Sequence, residues 1–286
     1  MKFICQNNKP MTLLFRARPF LALLFIIAPE LCRGQLTLTA LDLPREINET
    51  SGLEVHNGLF LTFNDSGGTT ELFAFDQSGQ LLNTIMISQT KNTDWEDITA
   101  DLDHYYIADT GNNYGKRNDQ KIYILNRNFE IQDSITISYK AQKSFKRRKK
   151  HPFDAEALAS FGDQLVLFSK DRKTLNSAIY LFDKNPGNLS LEPMDSLEVG
   201  CLITGADFHE PSGLMGLTGY SPDGAQYLFL LPEFSVPYDS SKMQKFVLPV
   251  TPAQIEAIHI ANPKEIWLTS EDEGLGLPRL FKATIE

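Results

Sequence analysis

Short stretches of alternating hydrophobic and polar residues run through the chain, and turn-forming residues separate them. Such alternation, with a period of two, is typical of β-strands that bury one face. Four strands in the same order recur five times, at intervals of roughly fifty residues. The first strand of each repeat opens with a polar residue that precedes a small or acidic one. These opening residues are Ser51, Glu96, Glu156, Thr204 and Glu256.

The fifth repeat reaches Glu286 without a fourth strand, and a candidate for that strand stands at the other end of the sequence. Residues 35–41 precede the first repeat and alternate with a period of two. Repeats of four strands arranged in a ring form the blades of a β-propeller. We therefore predict an all-β fold, a five-bladed β-propeller with four-stranded blades, in which the N-terminal strand closes the last blade. A β-sandwich or a two-domain all-β protein is the alternative.

The first 34 residues have the pattern of a signal peptide. Four basic residues precede an apolar run at 20–28, and small residues follow it. The run is about half as long as the roughly 20 residues that a transmembrane helix needs, so we expect no membrane insertion after cleavage. We predict a signal peptide at 1–34, a single propeller domain at 35–286, and export to the periplasm or out of the cell. Lipidation at Cys32 is a weaker alternative, because Leu31 before it is not small.

Charge narrows the set of partners. The chain of 286 residues is 42% hydrophobic and 22% charged, as globular proteins are, and its formal net charge is −9. Loss of residues 1–34 removes more basic than acidic side chains, so the mature chain is more acidic still. This excess of negative charge argues against a nucleic-acid partner. We expect a monomer.

The turns of the repeats predict which face of the propeller carries a site. Tight turns join the first strand to the second and the third to the fourth, whereas long loops join the second to the third and one blade to the next. Long loops on a rigid scaffold usually carry function. We call this side the loop face, and most basic residues of the mature chain fall on it, including the run at 146–150. The simpler interpretation of that run is a solvated loop.

An anionic small molecule or an extracellular ligand would suit such a face. An aromatic ring could stack on it, and basic side chains could hold its charge. The candidate ligand-binding residues are Trp95, Lys116, Arg117, Lys170 and Arg172. For Trp95, packing between two blades is the alternative.

The five opening residues predict a metal site on the propeller axis. They occupy equivalent positions, so three carboxylates and two hydroxyls converge there. Carboxylates held close together repel one another unless a proton or a cation lies between them. Because all the donors are oxygen atoms, Ca²⁺ is the ion that fits best. The alternative is that the acidic residues accept hydrogen bonds from backbone N–H groups of the next blade and bind nothing.

The order of hydroxyl, Glu, Glu, hydroxyl and Glu around five blades resembles the calcium-activated apyrase family of soluble nucleotidases. In that family a five-bladed propeller holds an axial Ca²⁺ ion through residues at these positions. The resemblance implies Ser51, Glu96, Glu156, Thr204 and Glu256 as calcium ligands, with Thr204 where the family has serine. Residues 94–98 and 108–113 are also similar to uncharacterised exported propellers related to phytase-like proteins.

Three functions remain open. The first is a Ca²⁺-dependent phosphohydrolase acting on nucleotides or phosphoesters, in which Glu156 or Asp171 orients the attacking water and Arg117 helps to position the phosphate. The second is a non-catalytic propeller that binds a glycan, peptide or protein and uses its metal for stability. The third is a lactonase or esterase.

Overall fold

A computed structural model describes residues 35–65, 67–250, 252–272, 274 and 276–286. The signal peptide predicted at 1–34 lies outside the described residues. The strands, in chain order, are β1 (Leu36–Asp42), β2 (Thr50–His56), β3 (Leu59–Asn64), β4 (Glu71–Phe75), β5 (Leu81–Met86), β6 (Asp97–Ala100), β7 (His104–Asp109), β8 (Lys121–Asn126), β9 (Ile131–Tyr139), β10 (Ala155–Phe161), β11 (Gln164–Ser169), β12 (Ser177–Asp183), β13 (Gly187–Leu191), β14 (Asp195–Leu197), β15 (Leu202–His209), β16 (Leu214–Tyr220), β17 (Gln226–Leu231), β18 (Gln244–Leu248), β19 (Gln254–Asn262), β20 (Glu265–Glu271) and β21 (Arg279–Ile285). The helices are short 3-10 turns at Arg45–Ile47, Glu210–Ser212 and Ser240–Lys242. None of the helices in the described part of the chain has both the length and the hydropathy of a membrane-spanning segment.

The strands form five sheets, antiparallel apart from one added parallel strand, and these sheets are the blades of a β-propeller. From the axis outward, blade one is β2-β3-β4-β5, blade two β6-β7-β8-β9, blade three β10-β11-β12-β14, blade four β15-β16-β17-β18, and blade five β19-β20-β21-β1. Each inner strand contacts the inner strands of the two neighbouring blades, so the five inner strands close a ring. The fold class predicted from the repeats is confirmed.

The N-terminal strand closes the ring as predicted. Strand β1 runs antiparallel to β21, in register from the pair Leu36–Ile285 to the pair Asp42–Arg279. A backbone hydrogen bond of 2.7 Å from Leu43 N to Pro278 O continues this contact beyond the strand. The backbone groups at the outer edge of β21 are thereby paired, and both ends of the described chain belong to one blade.

One strand differs from the prediction. The four-strand repeat predicts a single fourth strand for blade three at residues 189–199, but two separate strands occupy this region. Strand β13 pairs in parallel with β9 and extends blade two, whereas only β14 pairs with β12. Pro193 lies between β13 and β14 and cannot donate a hydrogen bond to a sheet, so the run of strand residues is interrupted there.

Apolar side chains fill the spaces between adjacent blades. Phe63 of blade one, Trp95 before β6 and Tyr123 of blade two belong to one such cluster, and the Phe63 and Trp95 rings meet edge to face at 5.3 Å. Clusters of the same kind join the other neighbouring blades. The core is therefore divided into layers between the blades, and polar groups are left at the axis.

Candidate functional site at the mouth of the channel

Bulges in the inner strands set the direction of the opening residues. The register of blade three shifts between Ala155 and Ala157, and equivalent shifts occur in blades four and five. These shifts leave Glu156, Thr204 and Glu256 as extra residues, and a bulge of this kind turns a side chain away from the regular pleat. All five opening residues are buried.

The two hydroxyls join adjacent blades. Ser51 Oγ donates to the carbonyl oxygen of Glu96 at 2.6 Å, and Thr204 Oγ1 donates to that of Ile255 at 2.8 Å. Each bond joins two neighbouring blades. Its acceptor lies in the first residues of the next inner strand, as Ile255 does, or directly before that strand, as Glu96 does. Both hydroxyls therefore link their own blade to the next and help to close the ring.

A lysine already supplies positive charge at the ring. Lys170 follows β11, is only 4% exposed, and its Nζ forms a short ion pair with Glu156. The other oxygen of Glu156 accepts a hydrogen bond from Arg172 Nη2 at 3.2 Å. Burial alone would lower the pKa of Lys170, but the carboxylates of Glu156 and Glu256 raise it well above its usual range. Lys170 is thus a buried ring cation and not the exposed ligand-binding residue that was predicted.

This arrangement fits an axial Ca²⁺ ion poorly. A divalent ion that shared the Glu156 carboxylate with Lys170 would lie close to its ammonium group and be repelled by it. Because Lys170 neutralises the charge of Glu156, this carboxylate also attracts a Ca²⁺ ion less strongly. The geometry of the ring therefore counts against a calcium ion coordinated by all five opening residues while Lys170 is in place.

A cluster of carboxylates lies beside the axis, and Glu96 is at its centre. Two sets of three residues have ligand oxygens within 4.8 Å of one another: the mouth trio, Asp65, Asp94 and Glu96, and the paired trio, Glu96, Asp154 and Glu156. Glu96 is 3% exposed, and its Oε1 has no hydrogen-bond partner among the described residues. Burial raises the pKa of Glu96 well above its usual range, and the nearby charge of Glu156 raises it further.

Neighbouring polar groups shape the loop that carries Asp94 and Glu96. Asn92 donates to the carbonyl oxygen of Asn64 at 2.9 Å and accepts a hydrogen bond from Trp95 N at 3.1 Å. Asp109 accepts from Asp94 N at 3.0 Å. These bonds fix the loop against the ends of β3 and β7, which brings the mouth trio together.

The backbone at Gly111 packs closely against the mouth trio. A Cβ atom at this position would collide with Glu96 Oε1 and lie 2.5 Å from the Asp94 carboxyl group. Gly111 N also donates to the Asp94 carbonyl oxygen at 3.2 Å. Only glycine allows this backbone to approach the two carboxylates so closely.

Arg117 occupies the wall of a cavity on the loop face. Its Nη1 lies 2.8 Å from Asp109 Oδ1, and its Nε lies 3.0 Å from Asp119 Oδ1. Its Nη2 has no hydrogen-bond partner among the described residues. The cavity has a volume of about 370 Å³, and we call it the Arg117 cavity. Its lining comprises Gly67, Thr93, Asp94, Asn112, Asn113, Tyr114, Lys116 and Arg117.

A second, smaller cavity of about 250 Å³ adjoins the first, and Asn113, Tyr114, Lys149 and Arg172 line it. Asn113 and Tyr114 line both cavities, so the two are neighbours. Arg147 lies over the Tyr114 ring at 4.1 Å. Arg147 and Lys149 of the basic run at 146–150 therefore contact the cavity lining, and both side chains are exposed.

The predicted catalytic carboxylates are both engaged. Asp171 accepts a hydrogen bond from Lys173 N at 2.7 Å and another from Thr174 Oγ1 at 2.6 Å, so it stabilises its own turn. Glu156 is bound to Lys170 and Arg172. Both carboxylates are therefore hydrogen-bonded within the protein.

Trp95 is not a surface for stacking. Its side chain has no exposed area, and its Nε1 donates to the carbonyl oxygen of Lys91 at 3.1 Å. The prediction that Trp95 binds a ligand at the rim is wrong, because the ring packs between blades one and two. The alternative weighed from the sequence is the one observed.

The opposite face carries a larger cavity that the turn pattern did not indicate. Its volume is about 680 Å³, and its lining includes Asp101, Asp103, Asp163, Asp183 and Lys184. Lys184 Nζ is already bound to Asp101 Oδ2 at 2.9 Å and to Ser160 Oγ at 2.8 Å. The acidic turn at 101–103 was the signal in the sequence, but a tight turn rich in aspartate is common without a site.

Comparison with known proteins places the fold. No family model matches the chain, and no curated protein matches it. The PQQ-bound aldose sugar dehydrogenase from Streptomyces coelicolor has 12% identity and a TM-score of 0.53, over 88% of this chain and 99% of that one. A protein of unknown function from Bacteroides caccae has 11% identity and a TM-score of 0.44, over 82% and 76% of the two chains. A quinoprotein alcohol dehydrogenase-like protein from Bacteroides thetaiotaomicron has 10% identity and a TM-score of 0.37, over 68% and 45%.

At this level of identity, the likeness to the sugar dehydrogenase shows the fold alone. The comparisons support a propeller and not the apyrase family in particular. Any function must therefore be argued from the residues of this chain.

Proposed function

We propose that this propeller binds a small anionic ligand, bearing phosphate or carboxylate groups, in the Arg117 cavity, and that it does not hydrolyse that ligand. The observation that carries the proposal is the Arg117 guanidinium, which lines the cavity beside the exposed side chain of Lys116. Guanidinium groups suit such ligands because their donors match the spacing of carboxylate and phosphate oxygens.

The surrounding charges support the same conclusion. Lys116 lines the Arg117 cavity and is exposed, and Lys149 and Arg172 line the adjoining cavity. Positive groups in a concave surface attract anions, and here they stand out on a chain whose net charge is −9. A ligand with two anionic groups could reach both cavities across Asn113 and Tyr114.

Hydrolysis has less support than binding. A phosphohydrolase needs a carboxylate or a metal-bound water that can act on the substrate. Glu156 is held by two cations, and Asp171 is held by its own turn, so both residues proposed for this role are occupied. No separate geometric feature favours the lactonase or esterase reaction.

The proposal retains the predictions of export and of a calcium cofactor. With a cleaved signal peptide at 1–34, the protein would meet its ligand in the periplasm or outside the cell. The exposed lysines of the loop face would then contact a soluble extracellular molecule.

Titration calorimetry of the purified protein with pyrophosphate, ATP and citrate tests the proposal. We expect one of these probes to bind, and we expect Arg117→Lys and Lys116→Gln each to weaken binding by about tenfold, which corresponds to about 1.4 kcal/mol. Lys264→Gln is the matched control, because Lys264 is an exposed lysine in the β19–β20 turn on the opposite face. Equal affinity in all variants, or no binding of any probe by folded protein, contradicts the proposal. Phosphate release from ATP contradicts its non-catalytic part.

A further inference from the structure

We infer that the mouth trio, Asp65, Asp94 and Glu96, binds a hard divalent cation beside the propeller axis, with Ca²⁺ as the best fit. This site shares Glu96 with the five-residue ring on the axis, but its other two ligands, Asp65 and Asp94, lie outside that ring. It does not depend on the anionic ligand proposed above, and it can be tested without that ligand.

The first argument is the state of Glu96. Its side chain is 3% exposed, and its Oε1 has no hydrogen-bond partner among the described residues. A buried polar atom without a partner costs about 1–3 kcal/mol, and a charged one costs more. A cation bound at this oxygen would remove that cost.

The second argument is the spacing of the carboxylates. The ligand oxygens of the mouth trio lie within 4.8 Å of one another. Oxygens that share one Ca²⁺ ion each lie about 2.3–2.6 Å from it, so their mutual distances are of this size or less. All three donors are carboxylate oxygens. Such ligands suit a hard cation such as Ca²⁺ better than a softer cation such as Zn²⁺.

The third argument is the distribution of positive charge. Arg172 Nε lies 3.2 Å from Asp154, and Lys170 and Arg172 both bind Glu156. The paired trio is therefore already neutralised by the protein's own cations. Arg117, which lines the same cavity as Asp94, directs its hydrogen bonds to Asp109, Asp119 and Gly111. A divalent cation would meet less repulsion in the mouth trio than on the axis.

The backbone at Gly111 also approaches two of the three carboxylates closely. Gly111 covers Glu96 Oε1 and the Asp94 carboxyl group with backbone alone, and any larger residue would fill the position beside them. The Gly111 backbone therefore lies against the Glu96 and Asp94 carboxylates, and no side chain at position 111 separates them.

Calcium titration of the metal-free protein by calorimetry distinguishes this site from the axial one. We expect one Ca²⁺ ion per chain in the wild type, and a loss of affinity of at least 100-fold in Asp65→Asn, Asp94→Asn and Glu96→Gln. Glu256→Gln changes only the axial ring, and Asp163→Asn changes an exposed carboxylate on the opposite face, so both should stay within threefold of the wild type. A loss in Glu256→Gln as large as that in Glu96→Gln, or no binding by the wild type, overturns the inference.

Terbium luminescence provides a second test that leaves the ligands intact. Trp95 lies between Asp94 and Glu96 in the chain, whereas Trp267 lies in β20 of blade five. Tb³⁺ replaces Ca²⁺ at oxygen sites and emits when a nearby tryptophan transfers its excitation. We expect Trp95→Phe to lose most of the emission and Trp267→Phe to keep it. The reverse result, or emission that added Ca²⁺ does not displace, counts against the mouth trio.

Discussion

Replacing Lys170 with methionine tests whether a buried lysine takes the place of an axial metal. Lys170 is 4% exposed and Glu156 is 2% exposed, so the ion pair between them is shielded from water. Removal of one partner of a buried ion pair costs about 3–5 kcal/mol, because the other charge is left uncompensated. Arg172 still binds Glu156 after the change, so we expect the lower end of that range, about 3 kcal/mol.

A loss of about 3 kcal/mol corresponds to a fall in Tm of about 6–12 °C for a chain of this size. Thermal unfolding followed by circular dichroism, in the presence of a chelator, measures it. The double variant Lys170→Met with Glu156→Gln should recover part of the loss, since neither charge then remains. Lys173→Met is the control, because Lys173 is exposed and should change stability by less than about 0.5 kcal/mol. If Lys170→Met is as stable as this control, Lys170 does not neutralise the ring.

Two further changes test other parts of the account. Gly111→Ala places a Cβ against Glu96 Oε1, so we expect at least a tenfold loss of Ca²⁺ affinity by calorimetry, and unchanged affinity would show that the close approach is unimportant. Glu54 gives a pH test: burial, followed by the charge of Asp207, raises its pKa from 4.5 to about 8. The folded protein then keeps a proton that the unfolded chain releases, so stability should fall as the pH rises from 4.5 to about 8. Glu54→Gln should reduce this slope in urea unfolding measured across that range, and an unchanged slope contradicts the shift.

The fold could be predicted because the repeat is visible in local sequence. The opening residues and the alternating strands recur in the same order, and β1 supplies the strand that the last repeat lacks. The division of residues 189–199 was missed because the parallel contact of β13 with β9 depends on a neighbouring blade. Pro193 was the local signal that the strand would break.

The site was predictable only in part. The buried ring of opening residues followed from their equivalent positions, but the role of Lys170 did not, because its Nζ reaches Glu156 only after β10 and β11 have paired. Asp65 and Asp94 are distant in sequence and belong to different loops, so their meeting with Glu96 depends on the packing of blades one and two. The acidic residues in the segment 94–97 were the local signal in the sequence for this cluster of carboxylates.

The exposure of Trp95 could not be read from the residue type. A tryptophan beside acidic residues suits a rim and suits a contact between blades equally well. The packed rings of Phe63 and Tyr123 decided between them, and these residues belong to other strands.

The most direct test of the proposed function is a crystal structure of the protein grown with the pyrophosphate or other anionic probe that calorimetry shows to bind. The account predicts electron density for the anion in the Arg117 cavity, within hydrogen-bond distance of Arg117 and close to Lys116. Density in the larger cavity beside Lys184 on the opposite face, with the Arg117 cavity empty, would contradict it.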